Sequence, residues 1–123
     1  MPDNDLTSPV NYIVIRYADV LLMAAEAYNR NGNDGQALNY VNQVRGRAGL
    51  GNLSSGGAQL TEDIWEERRL ELAGEGHRFF DLVRTGQAST RIQNFSLNKN
   101  ELFPIPAVEI SLAGGNWNQN PGY

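Results

Sequence analysis

The chain has 123 residues, 41% of them hydrophobic, with 13 Gly, no Cys and a formal net charge of −4. That length suits one domain burying roughly two-thirds of its unfolded surface. The acidic balance, with Lys99 as the single lysine, excludes a nucleic-acid surface, which needs clustered Lys/Arg interleaved with aromatics. No apolar run reaches the roughly 18 residues of a membrane span, and the lack of Cys excludes disulfides and thiolate metal sites without fixing a compartment.

Residues 1–11 read as an extended lead-in, polar, with Pro2 and Pro9, and without the basic and apolar regions of an export signal. Tyr12 to Ile15 is a short β-like run. The period then becomes helical: Tyr17, Val20, Leu21, Ala24, Ala25 and Tyr28 recur three and four apart, with Leu22 and Met23 widening the stripe. Asn31-Gly32 should stop this helix. Asp34 is expected to cap a second helix to about Arg47 with Ala37, Leu38, Val41 and Val44 inward, and the short link makes the two an antiparallel pair. Small Ala24 and Ala25, then Tyr28, then Ala37, Val41 and Val44 approach the tetratricopeptide spacing. The match is single, and such hairpins need neighbours to bury their outer faces.

Residues 46–57, GRAGLGNLSSGG, read as a loop. A phosphate cradle is not supported, because no GK[ST] follows and no clear strand precedes. Asn52-Leu53-Ser54 and Asn94-Phe95-Ser96 match glycosylation sequons, a common chance pattern.

From 61 to 86 the chain is dense in charge. Thr61 is the expected N-cap, with Glu62 and Asp63 in the first turn. Ile64, Trp65 and Leu72 form an apolar stripe, and Arg68, Glu71 and Glu75 lie on or beside it. Charges so placed should be buried in pairs, Arg68 with Glu71 or Glu75. Gly74 and Gly76 should break or bend the helix, leaving a second short helix from His77 to Arg84 that presents Phe79, Phe80 and Val83, stopped by Gly86. A catalytic reading would take Glu67, Glu71, Glu75 and Asp81 as hydrolytic carboxylates and His77 as base or metal ligand. An ion-pair network fixing the bend is the better account, since four Arg stand among the carboxylates and one His lacks a partner ligand.

After Gly86 helix signals are few. Leu102 to Pro106 (LFPIP) must be extended, Ala107 to Leu112 suits one helical turn, and Asn120-Pro121-Gly122-Tyr123 is a turn returning Tyr123 to the body. Trp117 and Tyr123 are anchored either to the core or to a ligand.

RYADVLLMAAEAYNR at 16–30, ALNYVNQVRGRAGL at 37–50, IWEERRLELAGEGHRFFDLVRTG at 64–86, LFPIP at 102–106 and QNPGY at 119–123 together resemble the C-terminal part of the SusD/RagB family of outer-membrane nutrient-binding lipoproteins. The resemblance implies a mostly α fold on tetratricopeptide-like pairs, no catalytic activity and no cofactor or metal. It also implies capture of glycans or other nutrients at the surface of the bacterial outer membrane, as a lid over a SusC-like TonB-dependent transporter that receives them. Family members are several times longer and begin with a lipoprotein signal and an acylated Cys, both absent here. The chain is therefore read as a C-terminal fragment with Met1 added, reaching the membrane only through an anchor it does not carry. Glu67, Arg68, Glu71, Glu75, Arg78, Phe80 and Asp81 match what looks like the family's packed charged and aromatic core.

The expectation is thus a single domain, 1–123: a helix pair at 17–47, a bent charged helix at 61–86 and an irregular tail at 87–123. Its function is non-catalytic nutrient binding, with Trp117, Asn118 and Gln119 as candidate ligand contacts by stacking and hydrogen bonding. Trp117 packed on the helices is the competing expectation. The alternatives are a tetratricopeptide-like scaffold whose only partner is protein, and a carboxylate hydrolase.

Overall fold

The computed structural model describes residues 13–123; the expected lead-in and Tyr12 lie outside them. The described residues form a mostly α fold without strands, in the order α1 (Tyr17–Arg30), α2 (Asp34–Arg47), α3 (Gly57–Glu71), α4 (Arg78–Arg84), α5 (Ala88–Arg91) and α6 (Ala107–Leu112). The chain divides into two units, one ending at Glu75 and one beginning at Gly76.

In the first unit α1 and α2 form the expected hairpin and α3 packs on both. Leu21, Leu22 and Ala25 meet Ala37, Val41 and Val44, and Leu60 and Ile64 complete the cluster. Burying each large side chain contributes about 1.5–3 kcal/mol. Ala25 and Ala37, both fully buried, leave room for close backbones.

The inward face of α1 differs from the expected one. Tyr17 (73% exposed), Val20 and Met23 face outward, whereas Asp19, Glu26 and Asn29 are buried beside Leu22 and Ala25. Apolar residues surround this helix, so periodicity alone does not fix its rotation. The polar partners do: Asp19 meets the buried Arg68, and Asn29 meets Asp34 and Gly57 at the start of α3.

The helix starts are corrected too. Asn33, one residue before Asp34, caps α2 by accepting from the Gln36 amide at 3.1 Å. α3 begins at Gly57, four residues before Thr61. The Thr61 hydroxyl instead donates to Asn29 Oδ1 at 2.5 Å. Ile13, Val14 and Ile15 are 60–69% exposed and form no strand, because so short a run is unstable without a paired neighbour. Trp65 is half-buried rather than in the core, with the Arg30 guanidinium 5.7 Å above its ring.

The loop before α3 is fixed by side chains acting as backbone. The Asn42 amide donates to the Leu53 carbonyl at 3.1 Å and accepts from its N–H at 2.7 Å, while Arg45 Nε donates to the Gly51 carbonyl. Loop carbonyls and amides so satisfied need no strand partner.

After α3 the chain turns through Gly74 and Gly76, both near φ +82°, where a side chain would be strained. The chain therefore breaks here into two helices, and the short helix expected from His77 to Arg84 is α4.

In the second unit Gln87 N–H bonds the Leu82 carbonyl and Gly86 N–H that of Val83, closing α4 as expected for Gly at this position. α5 follows at once and carried no sequence signal. Leu82 and Ala88 are buried. Phe79 touches Phe80, Phe95 and Phe103, with ring centroids 5.6–6.5 Å apart. Phe80 is 65% exposed and Arg78 is exposed, which corrects their expected place in a packed core: in a helix of seven residues only Leu82 is buried. Residues 103–106 are irregular and α6 follows.

Candidate ligand-binding surface and its charged frame

The three candidate contacts do not share one environment. Trp117 is 54% exposed and Asn118 is exposed, while Gln119 is half-buried. Both ends of the Gln119 amide are engaged: Nε2 donates to the Ile105 carbonyl at 2.8 Å, and Oε1 accepts from the N–H groups of Ile105 and Asn120. Sequence reasoning placed Gln119 at a surface, whereas its amide clamps the LFPIP segment. The signal available was Pro104 and Pro106, which deprive that segment of donors and leave Ile105 as the paired position between them.

The clamp continues to the last residue. Asn120 Nδ2 donates to the Phe103 carbonyl, Tyr123 Oη donates to the Leu102 carbonyl, and the Lys99 ammonium lies 4.9 Å from the centre of the Tyr123 ring. Gly122, at φ +85°, has Lys99 Cδ 2.9 Å from where a Cβ would stand. The turn thus returns Tyr123 against its own unit. Trp117 and Asn118 stand just before this pinned segment, an aromatic face and an amide open to solvent. Such a pair can stack on and hydrogen-bond a hydroxyl-rich ligand.

The carboxylates of the first unit are taken up by arginine. Arg68 pairs with Asp19 at 2.7 Å, both side chains 6% exposed. The expectation looked for a partner within the helix's own next turn, and α1 supplies this one from 49 positions away. Glu67 is held by Arg45 at 2.7 Å, and Glu71 by both Arg16 and Arg47 at 2.5 Å. Arg16 Nε reaches both Glu75 oxygens at 2.9 Å, and its Nη2 donates to the Glu71 main-chain carbonyl. The hydrogen bonds from Glu75 and then Glu71 push the Arg16 guanidinium well above its ordinary pKa. In the second unit Asp81 pairs with Arg84 at 2.8 Å. Hydrolytic carboxylates must face one cleft with room for the sugar or water, and these each face a guanidinium. Among the described residues no group of three His, Cys, Asp or Glu side chains could hold a metal.

α3 is capped at both ends by the hairpin. At its start Asp34 Oδ2 accepts from Gly57 N–H, which with the Asn29 amide lowers the Asp34 pKa. At its end Arg16 takes a terminal carbonyl. An anion at the N-terminus and a cation at the C-terminus both complement the helix dipole. An open pocket of about 240 Å³ lies between α1 and α2, lined by Arg16, Tyr17, Ala18, Leu21, Gln43, Val44 and Arg47.

The first unit is a helix hairpin closed by a third helix, the pairwise packing from which helical-repeat scaffolds are built. The sequence matches the SusD family over residues 3–123, and the chain belongs to that family. It is 39% identical to a SusD-like protein, P2, of Formosa agariphila, an alignment covering 98% of this chain and 28% of that protein. It is also similar to the crystal structure of a SusD-like protein from Bacteroides fragilis (31% identity, TM-score 0.81, 92% of this chain and 26% of that one). A SusD homologue from Bacteroides thetaiotaomicron is comparable (33%, TM-score 0.79, 89% and 25%). The chain spans about a quarter of the length of these relatives.

Proposed function

We propose that the chain is the C-terminal part of a non-catalytic nutrient-binding protein of the bacterial outer membrane, with a glycan as ligand and a SusC-like TonB-dependent transporter as recipient. Family membership supports the nutrient-binding role. The observation that carries a part for this segment is the exposure of Trp117 beside Asn118, immediately ahead of a tail that Gln119, Asn120 and Tyr123 hold still. A rigid aromatic face stacks on a sugar ring at little entropic cost. Gln119 acts in this reading by positioning the two contacts. The arginine-bound carboxylates favour binding over hydrolysis.

The test is affinity electrophoresis of the native full-length protein in gels containing a panel of soluble polysaccharides, with and without Trp117→Ala. Retardation by one glycan, weakened in the variant at unchanged melting temperature, supports the assignment. Unchanged retardation removes Trp117 from the site.

The outward Tyr17, Val20 and Met23 favour a second reading, a protein-binding scaffold without a small-molecule ligand. It predicts no retardation by any glycan and co-purification with the transporter.

A further inference from the structure

We propose that Asn31-Gly32, in the turn that ends α1, is a self-modification site at which the protein's own backbone converts a side-chain amide to a carboxylate. The Gly32 nitrogen attacks Asn31 Cγ, the side-chain nitrogen leaves as ammonia, and water opens the cyclic succinimide at either carbonyl to give aspartate or isoaspartate. A side chain on the following residue crowds this ring closure, and Asn31 is the one asparagine in the sequence followed by glycine. Asn31 and Gly32 are both exposed. Apart from the chain neighbours, nothing lies within 4 Å of where a Gly32 Cβ would stand. Asp34-Gly35 has the same follower, but its carboxylate is bonded to Asn29 and Gly57, and an ionised carboxylate is a poor electrophile.

The fold sets how fast this runs. Asn31 holds ψ at 8°, which turns the Gly32 nitrogen away from Asn31 Cβ, and closure needs ψ to rotate until the two eclipse. That rotation breaks the bond from Gly32 N–H to the Asn29 carbonyl at 2.9 Å and disturbs the one from Asn33 N–H to the Tyr28 carbonyl at 2.9 Å. Helix ends open locally far more often than a domain unfolds. Here Asn29 restrains the end, because it is buried and its side chain is held by Asp34, Gly57 and Thr61. The product strains the same turn. A carboxylate at the C-terminus of α1 opposes the helix dipole, and isoaspartate routes the main chain through an extra methylene that the two turn bonds do not fit. Asn33, the cap of α2, and Asp34, which caps α3, follow directly.

The full chain, incubated at neutral pH with and without denaturant, would be followed by peptide mapping in a mass spectrometer and by methyl transfer from an isoaspartyl methyltransferase. Conversion should appear at residue 31 ahead of every other asparagine, as a mixture of aspartate and isoaspartate. It should quicken as pH rises, since the attacking amide must lose its proton. It should run about tenfold slower in the folded chain than in denaturant, the effect of one or two net backbone hydrogen bonds. Asn31→Gln, whose longer side chain closes a ring far less readily, should show none over the same period, and Asn31→Asp should melt below the parent. Absence of conversion at residue 31, earlier conversion at another asparagine, or equal rates in the two conditions overturns the site. Asn31→Asp melting with the parent overturns its effect on the turn.

Discussion

The Asp34 carboxylate accepts the Gly57 amide hydrogen at 2.6 Å, so one helix of the hairpin caps a helix 23 positions further along the chain. The usual N-cap is local, a Ser, Thr, Asp or Asn at the boundary itself. Here that boundary residue is Gly56, whose Cβ, if it had one, would stand 2.9 Å from Asp34 Oδ2. Stability of α3 is thereby tied to the presence of α2.

This cap has a pH signature. Its hydrogen bonds lower the Asp34 pKa below the ordinary 3.8, so the ionised form is favoured in the folded state. The contribution is complete above about 3.8 and is lost as pH falls through the lower folded value. Asp34→Asn should lower the melting temperature at neutral pH, and the gap from the parent should close on acidification; a gap that stays constant to low pH would contradict the cap.

Asp19 and Arg68 form the most deeply buried ion pair described. Removing one partner, as in Asp19→Ala, leaves a buried guanidinium and should cost about 3–5 kcal/mol in denaturant unfolding. Replacing both, Asp19→Leu with Arg68→Met, should recover most of that loss. A double variant no better than the single one would show that the loss comes from the missing contact and not from an unpaired buried charge.

That rotation can be read independently. Leu22→Ala removes a fully buried side chain and should cost about 2–5 kcal/mol. Val20→Ala and Tyr17→Ala, on the outer face, should stay within about 0.5 kcal/mol. Equal losses at positions 20 and 22 would restore the face that periodicity suggested.

In the second unit, Gln119→Leu strips Ile105 of both its partners. Exchange of the Ile105 amide should accelerate and the tail should become a site of proteolysis, while Trp117→Ala should leave both unchanged. Protection of Ile105 that survives the change would mean the tail is held by packing.

The sequence conveyed the helices whose boundaries are local. Gly32 and Gly86 announce their stops, and α1 and α6 fall where expected. It did not convey what depends on distant partners. Thr61 looks like a cap because the local pattern fits, and the true start is set by Asp34. Arg68 sits near Glu71 and Glu75 in sequence, and nothing local announces its bond to Asp19, 49 positions away. The same holds at the candidate surface: the aromatic character of Trp117 was legible, whereas the use of the Gln119 amide was not, because a side chain imitating a strand leaves no periodic trace. Asn42 on Leu53 repeats that device in the first unit.

The irregular segment held by Gln119 has a consequence for solubility. A stretch bearing exposed Leu102 and Phe103 and half-buried Ile105 has the apolar, β-favouring composition on which further chains can add and grow into β-aggregates. Pro104 and Pro106 offer no N–H, and the side-chain amide occupies both backbone groups of Ile105 between them. An incoming strand finds no continuous ladder to join. The tail thus shields from polymerisation the one stretch of this helical unit whose composition invites it.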